Sequence, residues 1–457
     1  LELEGKVAVV VGLARSGIAA ARFLASRGAR VVATDVKGEG ELPEEALTLG
    51  RLGVGMELGG HRERTLAGAD LVVVSPGVPW DLPELAATRA AGVPVMAELE
   101  LAWRHLRGEV AAVTGTKGKS TTTAALGAML RPARGDVRVG GNIGEAVTGL
   151  VDGAGDETVF VLEVSSFQLE GTLTFHPRLA VFLNLAADHL DRHGSLDAYA
   201  RAKARIFANQ SSADWAVVNA DDPAVLALAR QGRARLLPFH PEGSPGSGDA
   251  AWFEGGQAWL RRDGQRQALF DRRDVRVPGA HLASDLLAAG AAATLLGASA
   301  GDVRDAVRAF QGVEHVLELV AEVAGVGYYN DSKATNVEAV RRSLEAFDRP
   351  VLVILGGRHK GGDFADLAAA LRARGRLVLA IGEARPLVAR ALGGVVPVHA
   401  CASLREAVER AAAEARPGDV VLLAPACASF DMFRDYADRG RAFKDEVRRL
   451  AGAGGNG

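Results

Sequence analysis

The run Thr114-Gly115-Thr116-Lys117-Gly118-Lys119-Ser120-Thr121 holds the residue types that grip a polyphosphate. Small residues let backbone N–H groups converge on one point, and the start of a following helix adds partial positive charge there. Lys119 is placed to reach outer phosphates, and the Ser120 or Thr121 hydroxyl to ligate Mg²⁺. A full phosphate-loop signature has glycine where this chain has Val113, so the match is a shortened Gly-Lys-Ser loop. The alternative is an ordinary Gly-rich turn. Two further runs carry chemistry. Glu163 opens Glu163-Val164-Ser165-Ser166-Phe167-Gln168 at the end of an apolar segment, where a metal-binding carboxylate usually stands beside a phosphate loop. Asp188-His189-Leu190-Asp191-Arg192-His193 puts two acids and two histidines in six residues: a metal or acid–base candidate, or else a solvated turn.

Lysine usage sharpens this. The chain has only eight lysines and writes the rest of its positive charge as arginine. Lys119, Lys203, Lys333 and Lys360 all fall in motif-like surroundings, where a compact ammonium or a free amine is wanted. Lys333 lies in Asn330-Asp331-Ser332-Lys333-Ala334-Thr335-Asn336, polar but for one alanine, which suits a binding loop. Lys360 follows Gly356-Gly357-Arg358-His359. No covalent nucleophile stands out: Gly-x-Ser-x-Gly is absent, and no histidine can be assigned to Cys427.

Elements that would position these groups alternate along the chain. Lys6–Val11 reads as a strand, Gly12-Leu13-Ala14-Arg15-Ser16-Gly17 as a turn, Ile18–Arg27 as a helix and Ala29–Thr34 as a second strand closed by Asp35. This is half a Rossmann-type unit, with Ala14 replacing the second fingerprint glycine, which weakens a dinucleotide reading. A third strand is expected at Leu71–Val74, ending in Ser75-Pro76-Gly77. The phosphate loop sits between strand Val110–Val113 and a helix over Thr122–Leu130. Strands are expected at Thr158–Leu162 and Arg178–Asn184, and Lys203 falls on a helix over Leu196–Ala208. The segment around Trp252 to Leu260 reads as a hairpin with a Gly-Gly turn, decorating the central domain. Pro278-Gly279-Ala280-His281 enters a long Ala/Leu helix. The last third brings strands near Tyr329, Val351, Leu377 and Val420, and a frayed tail after Leu450. The fold class is α/β, in three domains: a Rossmann-like 1–97, a central phosphate-loop ATPase-type 98–312, and a Rossmann-like 313–457.

Composition bounds the partners. Hydrophobic residues make up 48%, charged residues 24%, and the net charge is −3, as in ordinary globular domains. There is no basic tail or basic–aromatic stripe for a nucleic acid, and no apolar run of membrane-span length. Two cysteines, Cys401 and Cys427, rule out a disulfide framework and suit a reducing cytoplasm. A monomer is expected.

The phosphate loop, Glu163 to Gln168, Asp188 to Asp191 and Lys203 together resemble the Mur ligases over essentially the whole chain. Asn330 to Asn336 and Pro425-Ala426-Cys427-Ala428-Ser429 resemble the members that add D-glutamate. The resemblance implies an ATP-dependent amide ligase joining D-glutamate to UDP-N-acetylmuramoyl-L-alanine through an acyl phosphate, with domain closure excluding water. It implies that UDP is bound by Leu13, Arg15, Ser16, Asp35, Lys37 and Ser75, and the remainder of that substrate by Asn142, Ser165 and Gln168. ATP would be bound by Thr116, Lys117, Gly118, Lys119, Ser120, Thr121 and Thr122, with Asp331 and Lys333. Ser120 and Glu163 would hold one Mg²⁺, and His189 with a carbamylated Lys203 a second. Lys119, Glu163, His189 and Lys203 would be catalytic. Thr335, Lys360, Ser429, Phe430 and Tyr436 would receive D-glutamate. Departures fall at Val316 (arginine in the family), Leu282 and Asp285 (asparagines), Ala187 (proline) and Tyr436 (phenylalanine), and bear on ATP contacts more than on the chemistry. The rivals are another Mur-type or folylpolyglutamate-type ligase, and a nucleotide-binding regulator without activity.

Overall fold

The computed structural model describes residues 1–276 and 280–454, and only the backbone of Asp191, Ala280, Ala453 and Gly454. Pro278 and Gly279 lie outside the described residues. Contacts divide the chain into two compact units, Leu1–Asp274 with Ser284–Val307, and Val275–Ala283 with Arg308–Gly457.

The first unit holds two sheets. In one, β1 (Val7–Val11), β2 (Arg30–Asp35), β3 (Gly55–Leu58), β4 (Leu71–Val74) and β5 (Val95–Ala97) run parallel in the order β3-β2-β1-β4-β5. The order reverses beside β1, so the turns after β1 and β4 flank one crevice. The segment Leu71–Val74 is thus the fourth strand rather than the third. Strand β3 escapes pattern reading because Gly-Met-Glu-Leu has no β-branched residue and none of its positions is fully buried.

The second sheet has nine strands: β6 (Glu109–Thr114), β7 (Val137–Gly141), β8 (Val159–Glu163), β9 (Leu179–Phe182), β10 (Trp215–Asn219), β11 (Arg235–His240), β12 (Ala250–Glu254), β13 (Gln257–Arg262) and β14 (Gln265–Asp271). Their order is β14-β13-β12-β11-β10-β9-β6-β8-β7. From β6 to β12 all neighbours pair in parallel, and β8 is buried along its whole length, as a strand covered on both faces must be. The Gly-Gly hairpin forms as expected between β12 and β13. It extends the main sheet, and gains the antiparallel β14, instead of standing apart as a decoration.

The second unit carries β15 (Glu318–Val323), β16 (Val326–Asn330), β17 (Val351–Gly356), β18 (Gly375–Ile381), β19 (Val398–Ala400) and β20 (Val420–Leu423), ordered β15-β16-β20-β17-β18-β19. Only β15 is antiparallel to its neighbour. Its final helix runs Tyr436–Gly454, so the expected fraying after Leu450 does not occur at those residues. Among the described residues no helix is long and apolar enough to cross a membrane.

A buried acid joins the two sheets of the first unit. Glu100 sits in the helix Glu98–Trp103 that follows β5. Its carboxylate accepts the backbone N–H groups of Leu173, Thr174 and Phe175, the Thr174 hydroxyl and the Arg104 guanidinium, at 2.6–3.1 Å. Burial alone would raise its pKa, but these donors outweigh it and hold the group below the ordinary 4.5. A depressed native pKa gives stability that is present above the unfolded value and lost as pH falls through the native one. Glu100→Gln should therefore cost about 2–3 kcal/mol at neutral pH, since charge-assisted bonds become neutral ones. Denaturant titrations at several pH values should also show a shallower loss below pH 4.5 in the variant than in the wild type.

Candidate active site

Three adjacent parallel strands end at one level and build the centre. β6 delivers the loop Gly115–Gly118, and the helix Lys119–Arg134 starts directly after it. The loop is pinned from β9: the Thr116 N–H donates to the Asn184 carbonyl at 2.9 Å, and the Lys117 N–H to Asn184 Oδ1 at 2.8 Å. β8 delivers Glu163, opposite Val113 in register. Ser120 Oγ donates to Glu163 Oε2 at 2.6 Å, and Asn142 Nδ2, just past β7, donates to Oε1 at 2.7 Å. The carboxylate is buried between these two donors. Thr121 and Thr122 are buried in the first helical turn.

Two lysines donate to carbonyls of the loop. Lys119 Nζ donates back to the Thr116 carbonyl at 2.9 Å. Lys203, buried in the helix Leu196–Ala204, donates to the Gly115 carbonyl at 2.7 Å and lies 4.6 Å from the centre of the Tyr199 ring. Burial, with the charge of Lys119, lowers its pKa to about 7. His189 is half exposed, in a left-handed backbone conformation (φ 52°), and its ring is 6.4 Å from the same Tyr199 and 5.0 Å from Phe167. Asp188 lies 3.8 Å from it. The Asp191 side chain lies outside the described part. Among the described residues no three His, Cys, Asp or Glu side chains gather as a metal site.

Two of the expected substrate groups are engaged locally. Ser165 caps the helix Ser166–Glu170, and Gln168 Oε1 accepts the Ser165 N–H at 3.0 Å, a reciprocal capping box. The crevice of the five-stranded sheet is a cavity of about 690 Å³ lined by Leu13, Asp35, Lys37, His61, Ser75 and Val78, among others. Asp35 accepts the Leu13 N–H at 2.7 Å and the Lys37 N–H at 3.0 Å, so both its oxygens shape the turn. Ser75 Oγ is buried without a protein partner. Ser16 is buried in the first helix. Arg15 points away from the cavity, onto the carbonyls of Gly141, Asn142 and Gly144.

In the second unit, Asp331 and Thr335 follow β16, Ser429 and Phe430 follow β20, and Lys360 follows β17, three neighbouring strands. Lys333, Lys360 and Phe430 are exposed, Tyr436 is partly exposed and Ser429 is buried. Burial raises the Asp331 pKa to about 6, opposed by hydrogen bonds from Ser343 and Leu317. Sequence reasoning missed Arg439. It is buried, and it donates to Ser332 Oγ (2.9 Å), the Ser332 carbonyl (2.9 Å) and the Cys427 carbonyl (3.1 Å), lacing two of the expected motifs together. Nothing in its local pattern separates it from the other arginines of that helix.

Family models describe the same parts. "Mur ligase MurD-like, N-terminal domain" matches residues 6–97, "Mur ligase middle domain" 113–293, and "Mur ligase, glutamate ligase domain" 317–427. A protein of Acidobacterium capsulatum is 46% identical over 455 residues, covering 99% of this chain and 98% of the relative. The chain belongs to the Mur ligase family. One from Geotalea daltonii is 44% identical, covering 99% of both, and both relatives are named UDP-N-acetylmuramoylalanine--D-glutamate ligase. Among solved structures, the UDP-N-acetylmuramate-alanine ligase MurC of Thermotoga maritima has a TM-score of 0.59 at 22% identity, covering 97% of this chain and 99% of its own. The MurF ligase of the same organism, solved with ADP, has a TM-score of 0.56 at 18% identity, covering 98% and 96%. These structures share the fold of this Mur ligase.

Asp285 is a buried acid beside this Mur ligase's Gly115–Gly118 loop. It projects from the helix Ala280–Leu295 against Gly118, whose positive φ (81°) and lack of a side chain leave room for the carboxyl; a Cβ there would collide with it. Its Oδ2 has no partner, and burial lifts the pKa to about 8, with Lys119 pulling the other way. The native state thus holds a proton that the unfolded chain releases above 3.8. Stability from this group is fullest below that value and is lost as pH rises toward 8. Unfolding of the ligand-free protein should show wild type losing stability relative to Asp285→Asn between pH 4 and 8. Parallel pH profiles would contradict this account.

Proposed function

We propose that this chain joins D-glutamate to UDP-N-acetylmuramoyl-L-alanine with ATP, through an acyl phosphate, as a step in building peptidoglycan precursors. The observation that carries the reading is the hydroxyl–carboxylate contact of Ser120 and Glu163 directly beneath a Gly-Lys-Ser loop. We divide the chain accordingly into 1–97 for the nucleotide, 98–312 for ATP and 313–457 for the amino acid. Three separate sheets and the three family matches support that division. Two free, buried cysteines suit a cytoplasmic setting, and we read the chain as a monomer.

Leu13, Lys37 and Ser75 take the UDP in the 690 Å³ cavity, with Asp35 shaping the turn; Ser75 Oγ is an unsatisfied polar atom ready for a ligand. The Gly115–Gly118 amides and the helix after them cradle the ATP phosphates, and Lys119 swings from the Thr116 carbonyl to the outer phosphates. The alanyl carboxylate attacks the terminal phosphorus, ADP leaves, and the D-glutamate amine then displaces phosphate from the acyl carbon. Thr335, Lys360, Ser429, Phe430 and Tyr436 hold the amino acid, Lys360 as counter-charge to a carboxylate. Asp331 and Lys333 serve the nucleotide.

Ser120 and Glu163 fit Mg²⁺: both donors are hard oxygens, and so few protein ligands leave positions for phosphates and water, as that ion prefers. Bound there, Mg²⁺ would neutralise charge on the phosphoryl group in flight. His189 and Lys203 flank one ring, and an amine whose pKa is lowered to about 7 has a substantial neutral fraction able to add CO₂, so a carbamate on Lys203 with His189 fits a second ion.

Phosphate release by purified protein should require both the nucleotide sugar and D-glutamate; equal release with L-lysine, L-alanine or meso-diaminopimelate would refute the substrate. Lys203→Ala should lose at least 100-fold in kcat, as removal of a group acting in the transition state does, and should recover partly in short-chain carboxylic acids. Failure of rescue at any concentration would remove the carbamate while leaving the ligase.

A further inference from the structure

Two arginines cross in opposite directions between the sheets of the first unit. Arg15, the first residue of the helix Arg15–Ser26 after β1, donates to the Gly144 carbonyl at 2.8 Å, the Gly141 carbonyl at 3.0 Å and the Asn142 carbonyl at 2.8 Å. It does not line the nucleotide cavity, whereas its neighbours Leu13 and Ala14 do. The turn it grips is the one whose Asn142 side chain holds Glu163, and the Asn142 N–H also donates to the Glu163 carbonyl at 2.8 Å. In the other direction, Arg192 sits in the short helix Leu190–His193, which His189 precedes. The His189 carbonyl accepts the Arg192 N–H at 3.1 Å, while the His189 side chain makes no cap bond. Arg192 donates to the Val78 carbonyl at 2.6 Å and lies over the Phe167 ring, which His189 also faces, at 5.0 Å. Val78 is a wall of the nucleotide cavity and packs where a side chain on Gly12 would otherwise be.

Each arginine therefore ties one wall of the cavity to one group of the ATP site. Carbonyl oxygens are fixed only as well as their donors, and a guanidinium offers several N–H groups in a rigid plane, so three carbonyls of one turn are held at once. A cavity that is filled holds both of its turns still, and with them Asn142–Glu163 on one side and His189 on the other. We propose that Arg15 and Arg192 are positioning residues that couple occupancy of the nucleotide-sugar cavity to the readiness of Glu163 and His189, so that ATP is bound productively only when the acceptor is in place. The inference rests on the ligase reading and adds to it a route between its first two substrates.

The test is a set of binding measurements on the full chain, by calorimetry, with UDP-N-acetylmuramoyl-L-alanine and a non-hydrolysable ATP analogue, each alone and in the presence of the other. In the wild type the nucleotide sugar should tighten the analogue about tenfold, within the usual range of coupling between sites. Arg15→Met and Arg192→Met should each bring that factor below about threefold, while the nucleotide sugar alone binds within about threefold of wild type, and kcat should fall more than KM rises. If Arg15→Met does not fold, Arg15→Lys, with the charge but not the planar fork, should show the same reduced coupling. Undiminished coupling in these variants, no coupling in a wild type that turns over, or loss of nucleotide-sugar binding on its own would each overturn the proposal. Product formation by the wild type is read separately: coupled binding without product would sink the ligase reading and leave the two arginines standing.

Discussion

The register of three parallel strands sets everything at the centre of this molecule. β6 and β8 pair Val113 with Glu163, and β7 and β8 pair Gly141 with Glu163. The Gly115–Gly118 loop, the carboxylate and the Asn142 turn therefore leave the sheet at one height. A slip of one residue in β8 would turn Glu163 to the opposite face and break its contacts with Ser120 and Asn142 together. Gly141, at φ 103°, lies so close to the Glu163 backbone that any side chain would push the strands apart, so the glycine protects the register as well as the turn.

Around that register the charges are arranged by burial more than by pairing. Lys203 is held by a carbonyl and an aromatic face, and burial, helped by the charge of Lys119 and opposed by Asp188 and Glu163, lowers its pKa to about 7. Asp285 is the mirror case, an acid kept protonated for want of partners. Arg439 shows the same logic in the second unit: with carbonyls and a hydroxyl for acceptors, its pKa is lowered to about 10 by burial yet it remains charged at neutral pH. By contrast Glu100, with several donors converging on it, is held ionised at a comparable depth and does structural work.

Sequence patterning located buried strands such as β17 and β20, because a continuous apolar run has few other fates. It missed β10 and β11 inside the nine-stranded sheet, and it missed edge strands. β3 and β14 are short of β-branched residues and partly solvated, and they are strands because a neighbour offers a hydrogen-bonding edge, not because of their own composition. Polar motifs divided in the same way. The Gly-Lys-Ser run stands out in the sequence because loop, lysine and hydroxyl are contiguous. Ser165 and Gln168 look equally chemical in the sequence, yet they close a capping box, and Asp35, expected at the UDP, gives both oxygens to backbone amides.

The chain's own order of residues was thus enough for the α/β class and the family, and it singled out the Gly-Lys-Ser run and a few lysines, since such motifs depend on neighbours within a few positions. What only tertiary structure decided is which way the side chains face and how they titrate. Arg15 meets carbonyls more than 120 residues away, Lys203 a carbonyl 88 residues away, and Arg439 a serine 107 residues away. Burial and partner geometry at such separations come from the packing of whole sheets, which no local pattern records.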